Sequence, residues 1–496
     1  MRSSLLVTPF LAIFAIACSG SDDGGGATPT PDTGADADVP DPALAITCAD
    51  PESSVYGDPG ALPADKGAII KCAKGDRIDK AALEAKARAN AYVGKPFTSG
   101  AKIYRVLYRT ERGGPGAKPG YSSAIVYLPD TPRAAKAPLI LAAHGSRGQA
   151  AACAPSRLTP EGEYVRGDFE SLVLPFVGAG FPVIAPDSAG YANYGAKDNP
   201  PSVYGGWDDV GKGLLDASHA MRKLAPSILS DEVVLAGHSQ GGHTALAALA
   251  LSATYSVSGK IKAVVTAAPL WLPQRTWASL FLLEDSYPFT TSPNPNMVNI
   301  WYHYTHGELL DGPGKGLDVF KADKRDGIKK LMDEACWAAR YPALEALGAK
   351  ASDIFDPVFV DSIMATASSG AACPTAEPKK AICEKWMARY LADRPKIEGA
   401  AKDVPILFLY GNKDTTIPPD RITCARDKLK LDGAKMEWCI EPDASHSDPN
   451  PGILELRADW AADWVASKTL GTPAPAPCAL GEADITATCN PIPPNE

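Results

Sequence analysis

Residues 232–243 read Glu-Val-Val-Leu-Ala-Gly-His-Ser-Gln-Gly-Gly-His, and an alanine- and leucine-rich run follows them. The apolar run 233–236 is typical of a buried parallel strand, and the small residues after it favour a helix packed closely on a sheet. A Gly-x-Ser-x-Gly pentad between a strand and a helix is typical of a nucleophile elbow. Gly237 and Gly241 leave the space that such a strained turn needs. The pattern predicts that Ser239 is a nucleophile above a helix N-terminus, the alternative being a glycine-rich loop without chemistry.

The chain on both sides of this elbow alternates between strand and helix patterns. Two alternating segments joined by a glycine-rich turn predict an antiparallel opening pair of strands. The following strands alternate with helices, which predicts a mostly parallel sheet covered by helices on both faces, the α/β-hydrolase arrangement. The predicted strands are 102–110, 121–128, 138–143, 181–187, 233–236, 261–268, 404–411 and 435–440, and the clearest core helices are 207–224, 421–431 and 452–467.

Residues 270–402 interrupt this alternation, because they contain helical patterns, such as 328–338 and 383–393, but no clear strand. We expect an inserted cap over the carboxyl edge of the sheet, where such enzymes cover their substrate. The cap begins with many aromatic side chains, which predict either an acyl-binding wall and lid or a small core of its own. These are Trp271, Trp277, Phe281, Tyr287, Phe289, Trp301, Tyr302 and Tyr304. His303 and His306 share a helix face, but no carboxylate pattern accompanies them, so we expect no metal site.

A serine nucleophile needs a general base, and the base needs a carboxylate that fixes its tautomer. In this fold the chain order is serine, then acid, then histidine. Only His446 among the seven histidines follows the last predicted strand, so it is the candidate base. Asp414 follows an apolar strand and precedes two prolines that would stiffen its loop, so it is the candidate acid. Its alternative is an Asx-turn or a helix cap without catalytic duty, and the rival acid Asp443 lies too close in sequence to His446 to approach from another strand.

The negative oxygen of a tetrahedral intermediate needs two backbone donors. The amide of Gln240, directly after the nucleophile, is the first candidate, and the amide of Ser146, in the loop after strand 138–143, is the second. We expect His144 to bond carbonyls of that loop. His238 and His243 flank the elbow, where we expect them to pack or to support the site.

The N-terminus has the pattern of an export signal, with Arg2 before an apolar run that is too short to span a bilayer. The run ends in Ala-Ile-Ala-Cys at residues 15–18, which resembles a bacterial lipobox and predicts lipidation of Cys18. Ordinary cleavage after Ala17 is the alternative. Ser19 favours sorting to the outer membrane. The low apolar content that follows predicts a disordered tether.

Cysteine usage agrees with export. Without Cys18 ten cysteines remain, an even number that predicts disulfides, and no pair has the spacing of a zinc site. Nearest-neighbour pairing would join Cys373–Cys383, Cys424–Cys439 and Cys478–Cys489, the last within a proline-rich tail, although sequence leaves the connectivity open.

The net negative charge of the chain bears on which kinds of partner it can bind. The net charge of the 496-residue chain is −9 at pH 7, and 45% of its residues are hydrophobic, so it can bury a large core. No basic face is available for phosphates, which disfavours nucleic acid as a partner. The partners that we expect are a small-molecule or lipid ester as substrate and a membrane, which the protein would contact through its predicted N-terminal lipid anchor.

Several motifs together resemble the secretory lipase family of α/β-hydrolases, in a bacterial lipoprotein form. They are His-Gly-Ser-Arg-Gly at 144–148, Cys-Ala-Pro-Ser at 153–156, the elbow, Gly-Asn-Lys-Asp with Ile-Pro-Pro at 411–419, and Ala-Ser-His at 444–446. The family often has threonine where this chain has Ser146. The resemblance covers residues 95–470 and implies an esterase or lipase with Ser239, Asp414 and His446 as its triad.

The sequence therefore predicts six segments: signal peptide 1–18, acidic linker 19–45, hydrolase core 46–269, helical cap 270–402, second core part 403–470 and proline-rich tail 471–496. We expect an exported, cofactor-independent serine carboxylic-ester hydrolase that works through an acyl-enzyme and is either an outer-membrane lipoprotein of the cell envelope or secreted. The alternatives are a peptidase or polyester hydrolase on the same fold, or a surface-binding protein on an inactive hydrolase scaffold.

Overall fold

The computed structural model describes residues 41, 43–116, 118–158, 166–271, 295–337, 342–348, 350–447 and 451–489. The predicted signal peptide, Cys18, most of the linker and the segment 272–294 lie outside the described residues. The chain divides into two units, residues 1–41 and 42–496, and the description below concerns the second. Within the described ranges, none of the helices has the length and apolar character needed to cross a membrane.

A nine-stranded sheet forms the centre of the described structure. Its spatial order is β1-β2-β3-β5-β4-β6-β7-β8-β9. The pairs β1–β2, β2–β3 and β3–β5 are antiparallel, and all further pairs are parallel. This confirms the predicted α/β-hydrolase fold. The strands are β1 Ile69–Ile78, β2 Ala101–Glu111, β3 Pro119–Pro129, β4 Ala137–Ala143, β5 Val183–Pro186, β6 Leu229–His238, β7 Lys260–Ala267, β8 Ile406–Gly411 and β9 Met436–Glu441.

Ten longer helices accompany these strands in the described residues, and two single turns, Pro342–Glu345 and Ala351–Ile354, lie between them. They are α1 Lys80–Ala89, α2 Arg166–Gly178, α3 Trp207–Leu224, α4 Gln240–Leu251, α5 Pro295–His306, α6 Arg325–Glu334, α7 Pro357–Ser369, α8 Lys379–Ala392, α9 Pro419–Asp432 and α10 Ile453–Thr469. Helices α5 to α8 all belong to the 270–402 segment between β7 and β8.

The two faces of the sheet bury separate cores because side chains alternate along each strand. Leu139 and Leu141 of β4 belong to the core that also contains buried residues of α3, α4 and α9, whereas Ile140 and Ala142 belong to the core that contains buried residues of α1, α2 and α10. The described part of the 270–402 segment has a third core, to which Trp301, Tyr302 and Tyr304 belong. These three rings therefore pack inside the segment's own core, whereas Trp271 packs with the sheet. Trp277, Phe281, Tyr287 and Phe289 lie outside the described residues.

All ten cysteines that follow Cys18 form disulfides: Cys48–Cys72, Cys153–Cys336, Cys373–Cys383, Cys424–Cys489 and Cys439–Cys478. The expected Cys373–Cys383 pair is confirmed. The pairs Cys424–Cys439 and Cys478–Cys489 are wrong, because Cys424 lies in the core on one face of the sheet and Cys439 in the core on the other. The tail is therefore not closed on itself; its two cysteines bond to opposite faces of the core.

Candidate active site

The elbow joins the end of β6 to the start of α4, and Ser239 lies between them with φ 54° and ψ −120°. A Cβ on Gly237 would lie 2.0 Å from the carbonyl oxygen of Gly241, and a Cβ on Gly241 would lie 2.0 Å from the carbonyl oxygen of Ala143. Both glycines are therefore required by close backbone approach. The predicted strained strand–turn–helix is confirmed, and Ser239 stands at the N-terminal end of α4.

Asp414 lies in the turn that follows β8, and its carboxylate is fully engaged. Its Oδ1 atom accepts hydrogen bonds from the amides of Thr416 and Ile417, both 2.8 Å away. Its Oδ2 atom lies 2.7 Å from Nδ1 of His446, and the Asp414 side chain is inaccessible while that of His446 is 11% exposed. Because an ionised carboxylate only accepts, Nδ1 of His446 donates, which leaves Nε2 of the neutral ring as a proton acceptor.

The His446 loop is held against β6, the strand that ends just before Ser239. Nε2 of His238, the residue before Ser239, lies 3.0 Å from the carbonyl oxygen of His446. The two imidazole rings have centroids 4.6 Å apart at an interplanar angle of 44°. The rival acid Asp443 is 81% exposed and pairs with Lys413 at 2.7 Å, away from this arrangement. The structure thus brings Asp414 and His446 into contact and links the His446 loop to His238, the residue before Ser239.

The loop after β4 leaves the sheet next to the elbow, because β4 and β6 are parallel neighbours with Ala143 opposite Gly237. The two ring nitrogens of His144 face backbone carbonyl groups: Nδ1 lies 2.6 Å from the oxygen of Gly145, in the predicted loop, and Nε2 lies 3.1 Å from that of Asp187, which follows β5. The Ser146 hydroxyl contacts the Tyr204 hydroxyl at 2.9 Å.

Comparison with known proteins agrees with this geometry. Residues 140–462, which include the elbow, Asp414 and His446, match the Alpha/beta hydrolase family. The chain belongs to the alpha/beta hydrolase family.

Solved structures with this hydrolase's fold include a lipase and an esterase of low sequence identity. Lipase A of Candida antarctica in its closed state is 14% identical with a TM-score of 0.60, and the match covers 88% of this chain and 92% of that one. A rice cell wall degrading esterase of Xanthomonas oryzae is 17% identical with a TM-score of 0.57, covering 82% and 99%. At these identities the likeness shows the fold.

A third relative shares a short segment with this hydrolase. A Salmonella typhimurium protein, provisionally described as a carboxymethylenebutenolidase, is 39% identical over 59 residues. The match covers 11% of this chain and 22% of that protein, so the chain spans about a fifth of the length of this curated relative.

The other histidines of the hydrolase near this region are buried. Burial lowers the pKa of His243, one helical turn after Ser239, to about 4, so its ring is neutral at neutral pH. His303 bonds Asn299 O and Tyr390 Oη, at 2.8 and 2.6 Å, and burial lowers its pKa to about 3. His306 pairs with Asp393 at 2.9 Å. Among the described residues of the hydrolase, no three His, Cys, Asp or Glu side chains are grouped to hold a metal.

Asp187 is a supporting residue for which the sequence analysis made no assignment. It follows β5 and is wholly buried, and its carboxylate accepts bonds from the Ser123 hydroxyl at 2.6 Å and from the Ser156 amide at 2.7 Å, as well as from the Ser156 hydroxyl. Burial raises its pKa to about 6. Since its carbonyl oxygen also bonds His144, Asp187 ties two stretches of the loop after β4 together. The available signal was an acidic residue at the end of an apolar strand, on the same sheet edge as the elbow.

Proposed function

We propose that this α/β hydrolase is a serine carboxylic-ester hydrolase of the lipase and esterase type, with Ser239 as nucleophile, His446 as general base and Asp414 as the carboxylate that orients it. The observation that carries the proposal is the 2.7 Å contact between Asp414 and His446, held against the strand that ends in the elbow. This combination supplies the three groups that acyl transfer through serine requires.

In the acylation step, the Ser239 hydroxyl oxygen bonds to the ester carbonyl carbon while its proton passes to Nε2 of His446. The resulting imidazolium is stabilised by Asp414, whose negative charge lies against Nδ1–H. The tetrahedral intermediate then collapses, the bond from carbon to the alkoxy oxygen breaks, and the alcohol leaves with the proton from His446. In deacylation, water repeats the attack on the acyl-Ser239 ester with His446 as base, which releases the carboxylic acid and restores the Ser239 hydroxyl.

We assign the backbone amides of Gln240 and Ser146 as the donors that hydrogen-bond the negative oxygen of each tetrahedral intermediate. Gln240 begins α4, so its amide points out of the helix N-terminus, where backbone donors and the helix dipole favour negative charge. The contact of the Ser146 side chain with Tyr204 supports a backbone role for Ser146, because it engages the hydroxyl elsewhere.

We assign the 270–402 segment as a cap over an acyl pocket, in the manner of secretory lipases. The names of two structural neighbours, a lipase and an esterase, support an ester substrate. Acyl length is measured directly with p-nitrophenyl esters from acetate to palmitate. A preference for peptide amides over all of these esters would instead favour the peptidase alternative.

We also propose that the protein is exported to the cell envelope, that Cys18 is lipidated and that residues 19–45 form a tether between the lipid and the folded hydrolase. Five disulfides support an oxidising compartment. Metabolic labelling with a fatty acid should mark the full-length protein and not its Cys18→Ala variant. Equal labelling of the two proteins would contradict the anchor and leave the esterase assignment standing.

The nucleophile is tested by one substitution and one probe. Ser239→Ala should lower turnover of p-nitrophenyl esters by about 10³–10⁶, as in other triads, and should abolish labelling by a fluorophosphonate. Peptide mapping of the labelled parent should place the phosphonyl group on Ser239. Ser252→Ala, at the other end of α4, is the matched control and should keep both activities. Turnover that survives in Ser239→Ala would overturn the assignment.

A further inference from the structure

His238 connects the strand of the proposed nucleophile with the loop of the proposed base. It is the last residue of β6 and is 1% exposed, so its ring is fixed by packing. Its Nε2 atom meets the main-chain carbonyl of His446, at 3.0 Å, rather than the His446 ring. A carbonyl oxygen only accepts, so Nε2 of His238 carries the proton and donates it.

Two backbone hydrogen bonds also hold the His446 loop. The Lys413 amide donates to the carbonyl oxygen of Ala444 at 3.0 Å, and the Ser445 amide donates to that of Pro451 at 3.1 Å. These bonds fix the loop to the turn after β8 and to the approach to α10. The His238 bond adds a link to β6, which is the strand whose position determines where Ser239 lies.

The His238 ring also lies beside the ring of His446. With centroids 4.6 Å apart and planes inclined by 44°, the two imidazoles are in contact. Asp414 restrains one edge of the His446 ring through Nδ1. The neighbouring His238 ring restricts rotation of the His446 ring about its bond to Cβ.

We propose that His238 is a positioning residue that fixes the His446 ring relative to the Ser239 hydroxyl, through its bond to the His446 carbonyl and through ring contact. The inference deepens the proposed function and rests on it. His238 touches no reacting atom in this scheme. Its effect is on geometry, and displacement of reacting groups by about 1 Å can cost about 100-fold in rate.

Three substitutions separate the two contacts. His238→Phe keeps a flat ring and removes the donor, His238→Gln keeps an N–H near the position of Nε2 and removes the ring, and His238→Ala removes both. His219→Phe is the matched control, because His219 lies on α3 outside the proposed site. Circular dichroism and thermal melting establish that each variant is folded before kinetics are compared.

We expect His238→Phe to lower kcat about 10- to 100-fold with KM changed less than about threefold, because positioning acts on the chemical step. His238→Gln should recover at least half of the loss in log kcat that His238→Phe shows. His219→Phe should have the kcat and KM of the parent. A kcat of His238→Phe within twofold of the parent overturns the proposal. A loss carried mainly by KM, or a Gln variant no better than Ala, also overturns it.

A spectroscopic readout works even if one variant is poorly active. The proton shared by His446 Nδ1 and Asp414 should give a downfield NMR signal that Asp414→Asn removes, and His238→Phe should shift or broaden it. An unchanged signal in folded His238→Phe contradicts the positioning role. The proposed function fails separately: parent protein that neither hydrolyses any ester nor takes up the fluorophosphonate refutes it. Active parent with an unaffected His238→Phe variant refutes only the positioning role.

Discussion

Asp414 is the residue whose environment constrains the proposed chemistry most closely. Its Oδ1 atom is saturated by two backbone amides, so its side chain cannot rotate without leaving those donors unpaired. The remaining oxygen is directed at Nδ1 of His446. The turn after β8 thus selects one carboxylate orientation and, through it, one tautomer of the base.

Asp414→Asn should preserve the fold and remove most of the activity. An asparagine can keep its oxygen on the amides of Thr416 and Ile417, which directs its NH₂ group at Nδ1 of His446. Nδ1 must then accept, so the proton moves to Nε2 and the ring cannot take the proton of Ser239. A loss in kcat of about 10⁴ is expected from this tautomer change, measured with p-nitrophenyl butyrate at pH 7.

The matched control is Asp443→Asn, which changes the neighbouring loop in the same way. Asp443 is exposed and pairs with Lys413, a kind of surface ion pair that contributes little to stability. Its variant should keep the parent's kcat and melting temperature. Equal losses in the two variants would show that the effect arises from the loops rather than from the tautomer of His446.

At the scale of elements, the loop after β4 and the 270–402 segment form one connected unit. Cys153 is bonded to Cys336 just past α6, and the Trp337 amide donates to the carbonyl oxygen of Arg147 at 2.7 Å. Gly148 has φ +94°, and a Cβ there would lie 2.4 Å from the carbonyl oxygen of Ala335. The proposed oxyanion loop is therefore fixed against the segment assigned as the cap.

Removing this disulfide should cost more stability than removing one inside the segment. Cys153–Cys336 joins residues 183 positions apart, whereas Cys373–Cys383 joins residues 10 positions apart. Loop-closure entropy predicts a difference of about 2–3 kcal/mol between the two double serine variants. Chemical unfolding at pH 7 measures it. If Cys373→Ser/Cys383→Ser proves the less stable of the two, local packing outweighs the entropy of the longer loop.

The elements that could be predicted are those that leave a recognisable pattern of residue types within a short stretch of sequence. Strands β4 to β8 are apolar because both of their faces are covered, and the glycines of the elbow are set by contacts within and next to the turn. Strand β1 was not predicted, because charged residues and a glycine make up half of this edge strand and only Cys72 and Ala73 in it are buried. Helices α1 and α2 were also missed: only Leu83 and Ala87 of α1 are buried, and α2 contains Pro175.

The proposed partners of Ser239 could be located in the sequence because the fold fixes the order of such groups along the chain. Asp414 and His446 follow the last two strands, whose carboxyl ends meet at the same sheet edge as β6. The position of His238 beside the elbow predicts packing or support, but the specific contacts of His238, Asp187 and Tyr204 could not be derived in this way. They depend on how separate loops pack over that edge, which leaves no periodic signal in the sequence.

At the scale of the whole folded unit, the tail after α10 connects the two cores. Cys489 bonds to Cys424 on one face of the sheet, and Cys478 bonds to Cys439 on the other. Between them, the Ile440 amide donates to the carbonyl oxygen of Leu480 at 3.1 Å, so the tail pairs with the outer edge of β9. Proximity in sequence cannot reveal such a connection, since the cysteines closest along the chain lie on opposite faces.

Removal of the tail should therefore expose a strand edge as well as delete two crosslinks. We compare a chain ending at residue 470 that carries Cys424→Ser and Cys439→Ser with a full-length variant in which all four of these cysteines are serine. In the chain-entropy approximation each crosslink contributes about 4 kcal/mol, so both proteins should melt well below the parent.

Aggregation distinguishes the two proteins. When the same fraction of each is unfolded, the truncated protein should aggregate faster than the full-length serine variant, because an uncovered edge strand pairs with other chains. Light scattering during a thermal ramp measures this difference. Equal aggregation of the two variants would mean that the tail acts through its disulfides alone, and that the bond between Ile440 and Leu480 does not protect the edge of β9.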